Sequence, residues 1–554
     1  MVDRNESLYR LYLDEIQALN EFVLKYQVEH KFAGLQSIQS SDDPDVTRLL
    51  ESLAFFSART HDLVFKSAQT YWRRLYQQLF PYLLTPVPAS GILKGQISGL
   101  LTEPIVLDRG TEFILRTDQK REFSFQTRIS LALFPVNLYS VKVTPAEVGG
   151  IRLRLEFKNR HPMQVAPSPL SILIDYIGDT LASFTVLGYF KRHLQGTRLR
   201  YGPEHLIDGK DTAVWRDLDL PQYGPKTASV DENEFLHPLE VERLFFQDPR
   251  LELFLHLELP QPEKQFSEFA LEFTLSETWP RGLVASKDIF QLHCVPVINL
   301  NRIPARPIIL DGTLSRYPIL CGSDNPGYEF VKSLGVYRLD DNGMTPLASG
   351  VHARHNTYYE IEAHSEEHHG QWFSHILFHY PQAFADPVVI HVDAIWHQPS
   401  YRDHCERECQ LFPYALNLPS VRWEWALRPA TEPLAEKPIA DVDQLLQILQ
   451  LSHKRYYDMT DLKCIMELVG IGVNGRFKHF FNRLLNSRYE LRTVHDSRQT
   501  AGCVIYFLDF NWDSLDRNSE FFRAFLRHLE TVLNQWSSER EVRVALEDPD
   551  DDLV

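Results

Sequence analysis

At 554 residues, 44% apolar and 24% charged, the chain is too long for one hydrophobic core and divides into about three or four domains of ordinary globular composition. A formal charge of −17 argues against nucleic-acid binding and against docking on an anionic membrane surface, since both draw on clustered Lys and Arg. The start, MVDRNESLYR, lacks a signal-peptide pattern, no window reaches the roughly 18–20 apolar residues of a spanning helix, and six scattered cysteines read as reduced thiols, so a cytoplasmic chain without membrane insertion is expected.

Up to about residue 88 the apolar pattern is helical. In SLYRLYLDEIQALNEFVLKY, Tyr12, Ile16, Leu19, Val23 and Tyr26 recur at 4-3-4-3 spacing, the narrow seam of helices that supercoil with partners. A polar stretch, QSIQSSDD, interrupts, and SDDPDVTRLLESLAFFSARTHDLV restarts the pattern. Asp43 is placed to accept from first-turn amides, Pro44 suits the first helical position, and Asp45 favours the positive end of the helix. Val46, Leu49, Leu50, Leu53, Phe56, Thr60 and Leu63 then line one face. A third helix is predicted over roughly Ala68–Phe80, presenting Tyr71 or Trp72, Leu75, Tyr76 and Leu79. Pro81, Pro86 and Pro88 in FPYLLTPVPAS end it.

From about Ala89 the period becomes two. SGILKGQISGLL, EFSFQTRISLALFPV and GIRLRLEFKN alternate apolar and polar residues between Gly and Pro breaks, as half-buried antiparallel strands do, and Gly110 in DRGTEFILRT turns the chain into another. A first β-rich region is expected over 89–290, with one inserted helix at about Asp179–Leu194, and a second over 291–430. RIPARPIIL reads as an edge strand or crossing arm, because Pro cannot donate to a central ladder. After the linker RPATEPLAEKP comes a C-terminal α+β unit, 431–545, with helices at Asp441–Leu451, about Thr460–Val469 and about Arg517–Gln535, and strands at ELRTV and CVIYFLDF. The acidic close, LEDPDDDLV (546–554), reads as disordered. The fold class is therefore α+β multidomain: a helical bundle region at the N-terminus (1–88), central antiparallel β-rich domains and a C-terminal α+β unit.

Three constellations were candidates for chemistry. GIGVNG, Gly470–Gly475, satisfies the spacing of a dinucleotide-binding loop, but DLKCIMELV before it reads as helix rather than strand, so a glycine-rich helix terminus is the expectation. The histidine-dense stretch from His352 to His404, with Cys405 and Cys409, lacks a recurrent ligand spacing. His375 and His379 fall on a predicted strand, too far apart for easy joint ligation, and His404, Cys405 and Cys409 would be the first ligands if a metal bound. No nucleophile elbow, phosphate loop or HExxH helix occurs. No enzyme, cofactor or metal is expected. The alternative is a cytosolic hydrolase or a carbohydrate-binding β-sandwich protein with a His/Cys metal site.

Several longer stretches carry a stronger signal together than apart. They are DPDVTRLLESLAFFSAR (Asp43–Arg59), LFPYLLTPVPAS (Leu79–Ser90), LDRGTEF (Leu107–Phe113), FQTRISLALFPV (Phe125–Val136), PVINLNRIPARPIILDGT (Pro296–Thr313) with YPIL (Tyr317–Leu320), VDAIWHQ (Val392–Gln398) and DQLLQILQLSH (Asp443–His453). In that order they resemble the TssF family of type VI secretion baseplate subunits, also called ImpG or VasA. The resemblance implies a structural role on the cytosolic side of the inner membrane. A pair of copies of the chain would join one TssG in a wedge, with TssK and the sheath-initiating TssE, and the wedges would surround the VgrG hub. It implies no catalytic residue. It also favours a helical bundle shared with a second copy and TssG over a private one. The interface would then include Ile16, Leu19, Val23, Tyr26, Val46, Leu49, Leu50, Leu53, Phe56, Trp72 and Leu75.

Overall fold

The structure is a computed structural model that describes residues 4–30, 44–98, 101–118, 120–146, 149–202, 205–207, 214–216, 237–323, 327–340, 343–350, 357–365, 372–380, 387–404, 409–414, 418–429, 442–472, 475–496, 499–512, 519–537 and 540–546. The chain forms two compact units, Met1–Leu84 with Lys437–Gln450, and Thr85–Glu436 with Leu451–Val554. Asp43, Cys405, residues 430–441 with most of the linker RPATEPLAEKP, and residues 547–554 of the acidic close lie outside the described residues.

The first unit is helical. α1 (Arg4–His30) packs on α2 (Pro44–Leu79), and a single turn, α3 (Pro81–Leu84), follows. The pattern predicted two helices between Pro44 and Phe80, whereas the structure has one of 36 residues. The change of apolar phase near Leu63 carries no Pro or Gly, so nothing in VFKSA removes a backbone hydrogen bond and the helix runs through.

The second unit is built on antiparallel sheets; among the described strands only two pairings are parallel, Ala348–Ser349 with Tyr358–Ser365 and Gln499–Phe510 with Glu541–Leu546. A six-stranded sheet joins distant segments: Ser90–Ile97 lies between Cys294–Ile298 and Val421–Leu427, and Glu112–Thr117 lies between Glu122–Thr127 and Cys409–Pro413. Phe113, Phe125, Tyr401 and Trp423 are buried in its core. A separate core with Ile376, Val392 and Trp396 lies under the strands of the second β-rich region. There RIPARPIIL supplies two short strands, Asn301–Pro304 and Ile308–Leu310, that both pair with Val388–His397, and the first forms the edge of its sheet.

The polar residues of NLN and of WHQ explain why these stretches are distinctive. Asn299, Asn301 and Gln398 are buried together with Ser124. Asn299 Nδ2 donates to the Ser124 carbonyl at 2.8 Å, the Gln398 backbone amide donates to Asn299 Oδ1 at 2.6 Å, and the Ser124 amide donates to Gln398 Oε1 at 2.8 Å. A network satisfied in this way costs little to bury, and loss of one member strands the others.

The inserted helix is α4 (Thr180–His193), capped by Asp179, whose carboxylate accepts from the amides of Leu181 and Ala182. A further helix not read from the sequence, α5 (Pro238–Gln247), starts at His237. After α6 (Val442–His453) come α7 (Met459–Leu468), an unanticipated α8 (Gly475–Arg483), a three-stranded sheet and α9 (Glu520–Trp536). α9 packs on both α4 and α5, so this C-terminal helix shares a core with helices of the first β-rich region. At the α4–α9 crossing, a Cβ on Gly188 would collide with the Cβ of Glu520; only glycine permits that approach.

Candidate assembly interface

α2 carries two seams one residue apart, and hence about 100° apart on the helix, the first mostly of small and polar residues and the second of large apolar ones. Leu50, Ala54, Ser57 and His61 form the first. Ala54 and the adjacent Ala58 are fully buried, Ser57 Oγ donates to Glu15 of α1 at 3.0 Å, and His61 Nδ1 lies 3.0 Å from the same carboxylate. Small side chains let α1 approach closely, and Glu15 fixes the register.

The second seam, Leu49, Leu53, Phe56, Thr60 and Leu63, repeats at 4-3-4-3 spacing and is open. Leu49 is 68% exposed, Leu53 53%, Phe56 63% and Leu63 60%. Val64, Tyr71 and Leu79 continue the exposure along α2, and Tyr9, Leu13 and Phe22 add to it on α1. Each such side chain would gain roughly 1.5–3 kcal/mol on full burial. Large residues at coiled-coil spacing that stand exposed form the kind of contiguous apolar surface that marks interaction sites.

The residues read from the sequence divide accordingly. Leu49, Leu53 and Phe56 stand exposed on the open seam; Leu50 is half-buried on the covered one, although the pattern had placed it on the same face. Ile16, Leu19 and Trp72 are half-buried and Leu75 is at the margin of exposure. Val23, Tyr26 and Val46 lie in the helices, with side chains outside those described. Tyr9, Leu13, Phe22, Val64 and Tyr71 were not among the expected residues. The four-residue step from Tyr9 to Leu13 was the available signal for one pair of them.

Elsewhere the candidates for chemistry find no site among the described residues. No group of three His, Cys, Asp or Glu side chains is arranged to hold a metal ion there. Cys409 is half-buried on its strand, and burial pushes its thiol up from the ordinary range. His375 and His379 lie on one strand, Trp372–His379. Gly470, at φ +90°, terminates α7, and no strand feeds the glycine-rich segment. A cavity of about 20 Å³, lined by residues including Thr85, Glu240, Arg243 and Lys332, has room for about one water. No helix among the described residues is long and apolar enough to cross a membrane.

Comparison with known proteins places this architecture. No curated protein sequence matches the chain. Among solved structures, a chain of the type VI secretion system TssK-TssF-TssG baseplate subcomplex, determined by cryo-electron microscopy, superposes with a TM-score of 0.70 at 17% identity, over 90% of this chain and 96% of that one. A chain of the baseplate complex from the type VI secretion system gives a TM-score of 0.61 at 16% identity, over 97% of this chain and 96% of that one. The α+β architecture is therefore one already seen in those assemblies. The family model for type VI secretion system TssF matches residues 4–376, about two thirds of the length, and the chain thus belongs to the TssF family.

Proposed function

We propose that the chain is a structural subunit of a type VI secretion baseplate wedge, and that its helical unit is completed by the helices of other subunits. The observation that carries this reading is the open seam of Leu49, Leu53, Phe56 and Leu63, which a freestanding protein would pay for in solubility. The partners are TssG and a second copy of the chain, with TssK, TssE and the VgrG hub further out in the assembly, on the cytoplasmic side of the inner membrane. TssF chains in the similar structure occur in a subcomplex with TssK and TssG, which supports this choice. The chain acts by geometry and performs no catalysis.

Leu53→Asp with Phe56→Asp tests the reading. Both side chains are exposed in the isolated chain, so the substitutions leave its own fold intact while placing two carboxylates in the proposed interface. Burying them uncompensated would cost several kcal/mol. Co-purification with TssG should fall at least a hundredfold with circular dichroism unchanged. Undiminished capture of TssG by a well-folded double variant would refute the shared bundle.

A further inference from the structure

The three-stranded C-terminal sheet has the order Leu484–Asp496, Gln499–Phe510, Glu541–Leu546, so its outer strands are the first and the last. The two edges differ. On the outer side of the last strand, Asn534 and Glu530 of α9 hydrogen-bond to its backbone. Leu484–Asp496, 13 residues long, has no strand on its outer side among the described residues. From Asn486 to Asp496 it holds no proline, lysine or bulge, which are common means of keeping an edge from pairing; its one register shift lies before Asn486.

Alternation divides the side chains of this strand between two faces. On one face Tyr489 and Leu491 are 47% and 53% exposed, while the residues opposite them on the central strand, Tyr506 and Val504, are buried. The apolar layer of the sheet therefore runs out to an uncovered rim. On the other face Arg488, Glu490 and Arg492 alternate in charge, and Glu490 lies 2.6 Å from Arg488 and 3.4 Å from Arg492. These charges are satisfied within the strand. They do not drive association, but they decide which alignments of a neighbouring strand are tolerated.

The sequence Arg-Tyr-Glu-Leu-Arg complements its own reversal in few registers. In an antiparallel pair of identical strands, a two-fold axis through Arg488, Glu490 or Arg492 sets that charge against its own copy. An axis through Thr493 sets Glu490 against Asp496, and one through Ser487 gives Glu490 no arginine. An axis through Tyr489 or Leu491 sets Glu490 against an arginine, and the Leu491 axis alone keeps the whole pairing, Asn486 to Asp496, clear of the register shift. We infer that this strand pairs edge to edge and antiparallel with the same strand of a second copy of the chain, with the axis at Leu491. The two sheets then join into one of six strands, Leu491 meets its own copy, and Glu490 meets Arg492 on both sides of the axis. Such a contact is isologous, each copy giving what it receives. It lies wholly in the second unit and stands whether or not the helical seam is shared.

The test uses the full chain at about 0.15 M salt, which screens repulsion between two chains of charge −17. Leu491→Cys places a thiol on the axis, where facing Cα atoms lie about 4.5–5.5 Å apart, within reach of a disulfide. Tyr489→Cys places the two thiols four residues out of register, about 13 Å apart along the strands and beyond that reach. A mild oxidant should give a covalent dimer with the first variant and no more than the wild-type level with the second. The dimer should persist when Leu53→Asp and Phe56→Asp disable the helical seam, so loss of TssG capture and loss of this contact are separable. Glu490→Arg should weaken self-association at least tenfold in sedimentation. Glu490→Arg combined with Arg492→Glu should restore it, which a misfolded hairpin would not do. Absence of the Leu491→Cys dimer, a dimer through Tyr489→Cys instead, or failure of the charge exchange to rescue overturns the inference. So does protection of residues 486–496 from hydrogen exchange by TssG in place of the dimer, which would assign the edge to a different chain.

Discussion

His528 of α9 is held between two carboxylates: its Nδ1 lies 2.7 Å from Glu242 of α5 and its Nε2 lies 2.7 Å from Glu252, while Phe245 stacks on the ring. Burial alone would disfavour the imidazolium, but the Glu252 charge and the hydrogen bonds to both glutamates outweigh it and push His528 up to about 9. Glu252, raised by burial but lowered more by His528, titrates below its ordinary range. A histidine raised from 6.5 to about 9 contributes stability that is complete below pH 6.5 and is lost as pH rises through 9. The linked free energy is roughly 3 kcal/mol. Denaturant midpoints of the second unit should therefore fall steadily between pH 6.5 and 9. His528→Ala should flatten that slope and cost about 3–5 kcal/mol at pH 7, because two carboxylates lose their cation. A wild-type midpoint constant across that window would contradict the account.

Among the elements, the short C-terminal sheet shows how a strand edge is closed. Among the described strands, Glu541–Leu546 is paired on one side only, with Gln499–Phe510. On its other side α9 supplies the missing partners: Asn534 accepts from the Val542 amide at 2.8 Å and donates to the Val542 carbonyl at 2.7 Å, and Glu530 accepts from the Val544 amide at 2.8 Å. An unpaired edge invites association, and here side chains of a helix occupy it. Asn534→Ala should cost about 1–3 kcal/mol and speed hydrogen exchange at Val542 more than at Tyr506 on the central strand. Equal exchange at Val542 in both proteins would show that the seal does not matter. No local pattern announces such a contact, since Asn534 looks like an ordinary exposed helix residue. α5 and α8 escaped the sequence for related reasons. α5 is capped by the His237 ring, which accepts from the Leu239 amide, and histidine is outside the usual set of caps. α8, GRFKHFFNR, hides Phe477 and Phe480 among basic residues directly after a glycine-rich break. By contrast the charged face of the sheet containing Ile151–Met163 was half legible: the alternation in IRLRLEFK already sends Arg152, Arg154, Glu156 and Lys158 to one side. What the alternation could not give is the register that brings Lys142 and Arg198 alongside, because those pairings join residues far apart in sequence.

At the scale of the whole chain, the two units differ in how far they complete themselves. The second has cores closed by aromatic side chains such as Phe125, Tyr401, Trp396 and Phe477. The first buries Ala54 and Ala58 and leaves the seam of larger residues to solvent, so its stability comes from a modest buried area. The apolar residues of α2 were visible from sequence, but as one face that merged Leu49 with Leu50. Which of two adjacent seams stays open was not visible, because Leu49 and Leu50 are equally apolar and only α1's choice of Ala54 and Ala58 separates them. Unequal completion has a thermodynamic signature. Heated alone, the chain should lose helical signal in a first transition and aromatic near-ultraviolet signal in a later one. TssG at a hundred times its dissociation constant should stabilise the first by about 2.7 kcal/mol and leave the second nearly unmoved, because a ligand shifts only the equilibrium of the unit it binds. One concerted transition, or an equal upward shift of both, would mean that the helical unit already holds its full stability without partners.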